Sequence, residues 1–152
     1  MDGGVSTSPL SYKLWFTNQD ELNEARERAT KNIIRIIEHL IQIHQSTGKL
    51  LHLDIEPEPD GLLESGTEFI EWFENDLLPI GIPIIKSKMN ISSHKAEELI
   101  KEHLRLCYDV CHFAIGYEDH QATIDLLAEK GIIVGKIQIS AALKARFDSP
   151  EI

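Results

Sequence analysis

Two stretches of the 152-residue chain carry side chains of the kind that hold cations and move protons: LHLDIEPEPD at 51–60 and CYDVCH at 107–112. Glu56 offers hard carboxylate oxygens. Asp109 and His112, three residues apart, offer a carboxylate and an imidazole. These converge on one point when the Asp closes a strand and the His lies in the turn beyond it. Carboxylate plus imidazole suits Mn, Zn, Fe, Co or Mg, with coordination geometry choosing among them. A dication held there polarises a carbonyl or hydroxyl, or activates a water. Pro57 follows Glu56 directly, removes a backbone donor and fixes φ, so the strand ends and the carboxylate stays at its rim.

For such groups to meet, they must stand at the ends of neighbouring strands. Over 50–56, Leu51, Leu53 and Ile55 alternate with His52, Asp54 and Glu56, the period of a strand with one oily face. Over 104–109, Leu104, Leu106 and Tyr108 alternate with Arg105, Cys107 and Asp109. A further strand is expected at 132–140, where Ile137 and Ile139 alternate with Lys136, Gln138 and Ser140, although Ile132 and Val134 keep the start of its second face apolar. The apolar and hydroxyl-rich piece at 5–10 reads as a strand end running into a loop.

Helices separate these strands. Thr17 or Asn18 caps a long one, whose apolar stripe runs through Leu22, Ala25, Ala29, Ile33, Ile36, Leu40 and Ile43 and stops at Gly48. Residues 67–78 have helical spacing in Phe69, Ile70, Phe73 and Leu77, and Pro79, Gly81 and Pro83 are expected to end that helix. Residues 84–91 have no clear pattern. Ser92 or Ser93 caps a helix through Leu99 and Ile100, a short turn follows the 104–109 strand, and a helix near 121–130 stops at Gly131. Residues 141–152 begin another helix or fray.

The order β, α, β, α, α, β, α, β implies parallel strands joined by helical crossovers. An open doubly wound sheet, covered by helices on both sides, needs strands apolar on both faces. These strands have one apolar and one ionisable face, which favours the wall of a (β/α) barrel near the top of its lumen. Glu56, Asp109 and Gln138 then each close an inward-facing row at the strand C-termini, where barrel active sites are built. A barrel takes ~250 residues, so the expectation is a single α/β domain over 1–152 holding about half of one, the middle section of a longer barrel, its unpaired edges inviting homo-oligomers that complete it.

Hydrophobic content of 42% and charged content of 26% belong to an ordinary globular protein. With 25 acidic and 15 basic residues the formal net charge is −10, which disfavours nucleic acid and anionic membranes as partners. No apolar run approaches a membrane span and no secretory leader is visible, so the cytoplasm is the expected location. Cys107 and Cys111 read as buried reduced thiols rather than a disulfide.

The segments LDIEPEPDGLLES, LRLCYDVCHFAIGYED and GIIVGKIQISAALK together resemble the xylose-isomerase-like TIM barrels, a superfamily that includes sugar-phosphate isomerases and epimerases and the type IV endonucleases. They and the opening GGVSTSPLSYK are most similar to its EboE family of metabolite traffic proteins. The resemblance implies a divalent-metal site. The superfamily's strand-end Glu falls on Glu56, and the Asp and His of its D-x-x-H motif on Asp109 and His112. Its next ligand, commonly a His, falls on Gln138, and its last carboxylate falls outside the 152 residues.

Three functions follow as expectations: a metal-dependent sugar or sugar-phosphate isomerase or epimerase, a noncatalytic metabolite-binding or trafficking component, and an inactive fragment of a larger barrel enzyme. Lys13 and Lys136 read as wall residues, though either would suit an anionic ligand. Glu58 reads equally as an orienting carboxylate or a solvated loop residue. Trp15 and Trp72 read as packing residues, His120 as a capping or solvated one, and His39 and His44 on the long helix carry no assigned chemistry.

Overall fold

Each strand of the sheet is followed in sequence by the helices that carry the chain back to start the next. The computed structural model describes residues 2–143 and 145. Strands β1 (Asp2–Thr7), β2 (Leu50–Ile55), β3 (Leu104–Asp109) and β4 (Val134–Gln138) lie side by side in the order β1-β2-β3-β4, every pair parallel. Because each crossover steps to the adjacent strand in the same direction, the helices gather on one face. The result is an α/β fold with a curled, half-barrel sheet, as the alternating strand faces predict.

Helix α1 (Gln19–Thr47) is capped by the Asn18 side chain, which accepts from Glu21 N, and ends at Gly48 in the left-handed region. Its buried row is Ala25, Thr30, Ile33, Ile34, Ile37 and Ile41, not the expected stripe through Ile36, which is 42% exposed. Isoleucines at 33, 34, 36 and 37 offer two overlapping apolar stripes, and only packing against the sheet selects between them.

The prolines do not end the next helix. Helix α2 (Gly66–Trp72) passes through a π-helical turn at Phe73–Leu77 into α3 (Leu78–Met89), which contains Pro83 and has Pro79 in its first turn. The widened turn, in which Leu78 N donates to Phe73 O, accommodates the missing donor and the ring of Pro79. The unassigned residues 84–91 therefore lie largely in α3. Helix α4 (Ser93–His103) is capped by Ser92 and runs straight into β3. After β3, a short helix α5 (Val110–Ile115) stands where a turn was expected, because Asp109 itself caps it. Helix α6 (His120–Glu129) leads to β4, which is shorter than the expected 132–140.

β1 begins earlier than the 5–10 reading; Gly3 and Gly4, poor strand formers, sit inside it and hide its pattern. The segment 141–152, expected to begin a helix or fray, falls largely outside the described residues, and 141–143 are irregular. No described helix is long and apolar enough to cross a membrane.

One core fills the space between the helices and the outer face of β2 and β3, with Ile37, Ile41, Ile55, Phe69, Trp72, Leu77, Ile100, Leu104 and Leu106 fully buried. Trp15, in contrast to the packing role expected of it, is 75% exposed beside Tyr12. Within the core, Trp72 Nε1 donates to Thr30 Oγ1 at 2.9 Å, and that hydroxyl donates to Arg26 O at 2.8 Å. Thr30→Val keeps the shape but strands the indole N–H, so it should cost about 1–3 kcal/mol. Thr30→Ser should retain most of the stability. Urea unfolding followed by tryptophan fluorescence checks both, and a neutral Thr30→Val would show that the hydrogen bond contributes nothing.

Candidate functional site

The inner face of the sheet is polar and buried at its centre. His52, Asp54, Cys107 and Asp109 are all buried. Gly4 on β1 and Gly135 on β4 make this geometry possible: a Cβ on Gly4 would collide with His52 and Asp54 Oδ2, and one on Gly135 with Asp54 Oδ1 and Arg105. The β3–β4 register shifts at Leu106 and Cys107, which brings the Gly135 backbone over Asp54. Lys136 Nζ then reaches across from β4 to donate to Ser6 Oγ on β1 at 2.9 Å. Deeper in the curl, His52 Nδ1 lies 2.6 Å from Asp54 Oδ1 and its Nε2 lies 3.2 Å from Asp2 Oδ1. Burial pushes the Asp54 carboxyl above its usual range, against the pull of His52, Arg105 and Lys136.

At the C-terminal ends of the strands the sequence-predicted residues meet in pairs, Glu56 with His112, Asp109 with His112, and Asp109 with Gln138. Glu56 follows β2, and its Oε1 lies 3.4 Å from His112 Nδ1 in the first turns of α5. That nitrogen is buried and makes no aligned hydrogen bond. Among the described residues, Glu56 Oε2 accepts only the weak Cys107 S–H, at 3.6 Å. Asp109 closes β3 and accepts from three groups. Cys111 N donates to Oδ1 at 2.9 Å, the Ser140 hydroxyl donates to the same oxygen, and Gln138 Nε2 donates to Oδ2 at 2.8 Å. Gln138 is the cross-strand partner of Asp109, so the sheet register itself brings them together.

Donor atoms of Asp109, Cys111 and His112 all lie within 4.8 Å of one another. Carboxylate, thiol and imidazole in one cluster suit a divalent transition metal. The unpartnered His112 nitrogen is what such an ion would satisfy, so a divalent cation fits these three donors, with Glu56 beside His112 but outside the three and Gln138 engaged by Asp109.

The electrostatics separate the two acidic positions. Burial alone would raise the Asp109 pKa, but hydrogen bonds from Ser140 and Cys111 and the nearby His112 outweigh it, and the carboxyl titrates at about 2. Burial and the adjacent Glu56 push the Cys107 thiol up to about 12, so it stays protonated as a donor.

Other expectations resolve differently. Lys13 is bound by Glu64 at 2.8 Å and Glu68 at 3.0 Å. The Glu58 backbone ties the 58–63 loop through Leu63 O and Gly61 N. His120 Nδ1 pairs with the Tyr108 hydroxyl at 2.7 Å on the outer side. Cys107, Cys111 and Ser140 were not expected at the site. Strand parity pointed at Cys107 and Ser140, which share the inward row with Asp109 and Gln138. Both cysteines are free. A surface groove of about 630 Å³ is lined by Ala114, Ile115, Tyr117, Glu118 and His120, with Ala142, Leu143 and Ala145, and includes none of the strand-end donors.

No known protein family, no curated protein and no solved structure matches the chain. The fold and the clustered donors define it as a half-barrel α/β protein with a candidate cation site at the strand C-termini.

A carboxyl with a depressed folded-state pKa stabilises the fold above its unfolded value and ceases to do so as pH falls through the folded one. For Asp109 that window runs from about pH 4 down to about pH 2. In metal-free protein, Asp109→Asn keeps the α5 cap and should flatten this acid limb of a urea-stability profile. Asp109→Ala should also cost about 0.5–2 kcal/mol at pH 7 through the lost cap. An unchanged limb in Asp109→Asn would show that the carboxylate is not held as described.

Proposed function

We propose that the chain is part of a (β/α) barrel of the xylose-isomerase-like type, and that it handles a small metabolite such as a sugar or sugar phosphate at a divalent-metal site. Glu56, Asp109 and His112 would hold the ion, and Gln138 would orient Asp109. The supporting observation is the approach of Glu56, from the end of β2, to His112, just past the end of β3, with the buried His112 Nδ1 left unpartnered.

A bound dication supplies Lewis acidity toward a substrate carbonyl or hydroxyl. The chain's own residues prepare that position. Asp109 remains ionised throughout the neutral range. Cys107 keeps its proton and holds one Glu56 oxygen, leaving the other directed at His112. Ser140 and Gln138 fix the orientation of Asp109, the arrangement by which outer hydrogen bonds position metal ligands.

A second reading, a metabolite-binding or trafficking component without turnover, is favoured by Gln138. Its amide occupies a position where an imidazole ligand is commonly found in the resembled superfamily. In this fold it serves Asp109 rather than an open coordination position.

Mn²⁺ binding followed by electron paramagnetic resonance tests the site. Glu56→Ala and His112→Ala should each weaken binding at least tenfold, while His39→Ala, on an exposed position of α1, should not. Equal affinity in all four proteins would remove the metal site. If the site holds, assay of sugars and sugar phosphates for interconversion separates the two readings: turnover lost in His112→Ala supports the enzyme, and ligand binding without conversion supports the carrier.

A further inference from the structure

The opposite end of the sheet carries a second donor cluster, built from two helix ends. His103 closes α4 immediately before β3, and its ring is fully buried. Its Nδ1 lies 2.6 Å from the carbonyl oxygen of Leu51 on β2. A carbonyl only accepts, so Nδ1 carries the hydrogen and Nε2 is left as a lone pair. That Nε2 is buried and has no hydrogen-bond partner. Such an atom is costly to leave alone.

Two further donors face it. Glu102 Oε2 lies 3.9 Å from His103 Nε2 and also 3.9 Å from His44 Nδ1. The His44 and His103 rings are 5.5 Å apart and nearly perpendicular. One ligand atom from each of His44, Glu102 and His103 falls within 4.8 Å of the other two. These spacings are too long for hydrogen bonds between the groups. They are close to what a shared ion requires, since two zinc bonds of ~2.0–2.2 Å span up to about 4.4 Å. We infer that His44, Glu102 and His103 form a zinc-binding site that ties the end of α1 to the α4–β3 junction.

Two features of the surroundings agree with a cation. α1 and α4 both end here, so the negative ends of two helix dipoles point at the cluster. The Nδ1–H···O=C bond to Leu51 is the kind of support that orients a metal-bound imidazole. Arg105 is the nearby opposing charge, and its Nε donates to the Glu102 carbonyl at 3.0 Å rather than to the carboxylate. His44 and Glu102 are each about one-third exposed, at 33% and 38%, so an ion has an entry path and the fourth coordination position is open to water. Two imidazoles and one carboxylate are a common zinc set.

The site is independent of the one at the strand C-termini, and the test keeps them apart. Zn²⁺ is titrated, in competition with a chromogenic chelator, into protein carrying Glu56→Ala and His112→Ala. That protein should still take up one equivalent, and Co²⁺ in its place should give the intense visible bands of a tetrahedral site. His44→Ala and Glu102→Gln, added singly, should each weaken Zn²⁺ at least tenfold and abolish most of the zinc-induced rise in Tm. Both side chains lie at the rim, so the variants should fold; His103 is left intact because its ring belongs to the core. Uptake unaffected by either substitution, or no uptake at all by folded protein, would overturn the assignment.

Discussion

A parallel sheet with one polar face must put that face somewhere. Here the four strands curl until β4 and β1 are bridged by Lys136 and Ser6, and the ionisable row is folded inside. The curl depends on two residues without side chains. Gly4 stands where the carboxylate of Asp54 and the ring of His52 need room, and the register shift between β3 and β4 brings the Gly135 backbone over Asp54. Any Cβ at either position would have to displace a buried ionisable side chain. The interior that results is polar but paired, with His52 held between Asp54 and Asp2, and Arg105 within 3.7 Å of Asp2. Asp54 Oδ2 alone keeps no hydrogen bond there, and its raised pKa is the electrostatic trace of that confinement.

The same curvature explains why residues remote in sequence meet at both ends of the sheet. At the C-terminal ends it gathers oxygen donors and two thiols: Glu56 beside His112 and Cys107, and Asp109 beside Cys111, Gln138 and Ser140. At the other end it brings helix C-termini together, and there imidazoles dominate. The two clusters differ in hardness: an ion at the carboxylate-rich end would be Mn²⁺ or Mg²⁺ as readily as zinc, whereas the imidazole pair would favour zinc.

Much of this was legible in the sequence because strand parity is a strict period of two. The alternation at 51–56 and 104–109 marks which residues face inward, and Glu56, Asp109 and Gln138 do close inward rows. Helix phase was less legible. Four isoleucines within five positions of α1 satisfy two stripes equally, and the choice is made by the sheet beneath. Pro79 misled for a similar reason, since a local rule about missing donors was overridden by one widened turn upstream. The His44–His103 pair left no local signal, because its partners sit on different helices and only the return of α4 beside α1 brings them together.

The strand-end cluster contains a tension that bears on how it works. Asp109 is at once the cap of α5, the partner of Gln138 and Ser140, and the proposed ligand. A carboxylate has about four lone-pair positions, and three are in use, so one remains for an ion without breaking the cap. This ordering has a cost in affinity, because the donors already engaged withdraw charge from the oxygens. It has a benefit in geometry, because Asp109 cannot swing away when the ion leaves. Glu56 is the opposite case: among the described residues its carboxylate accepts only the protonated Cys107 thiol and lies 3.4 Å from His112. One anchored and one lightly held carboxylate would let the proposed site keep its shape while its coordination number changes, as exchange of a substrate oxygen for a water at a cation would require.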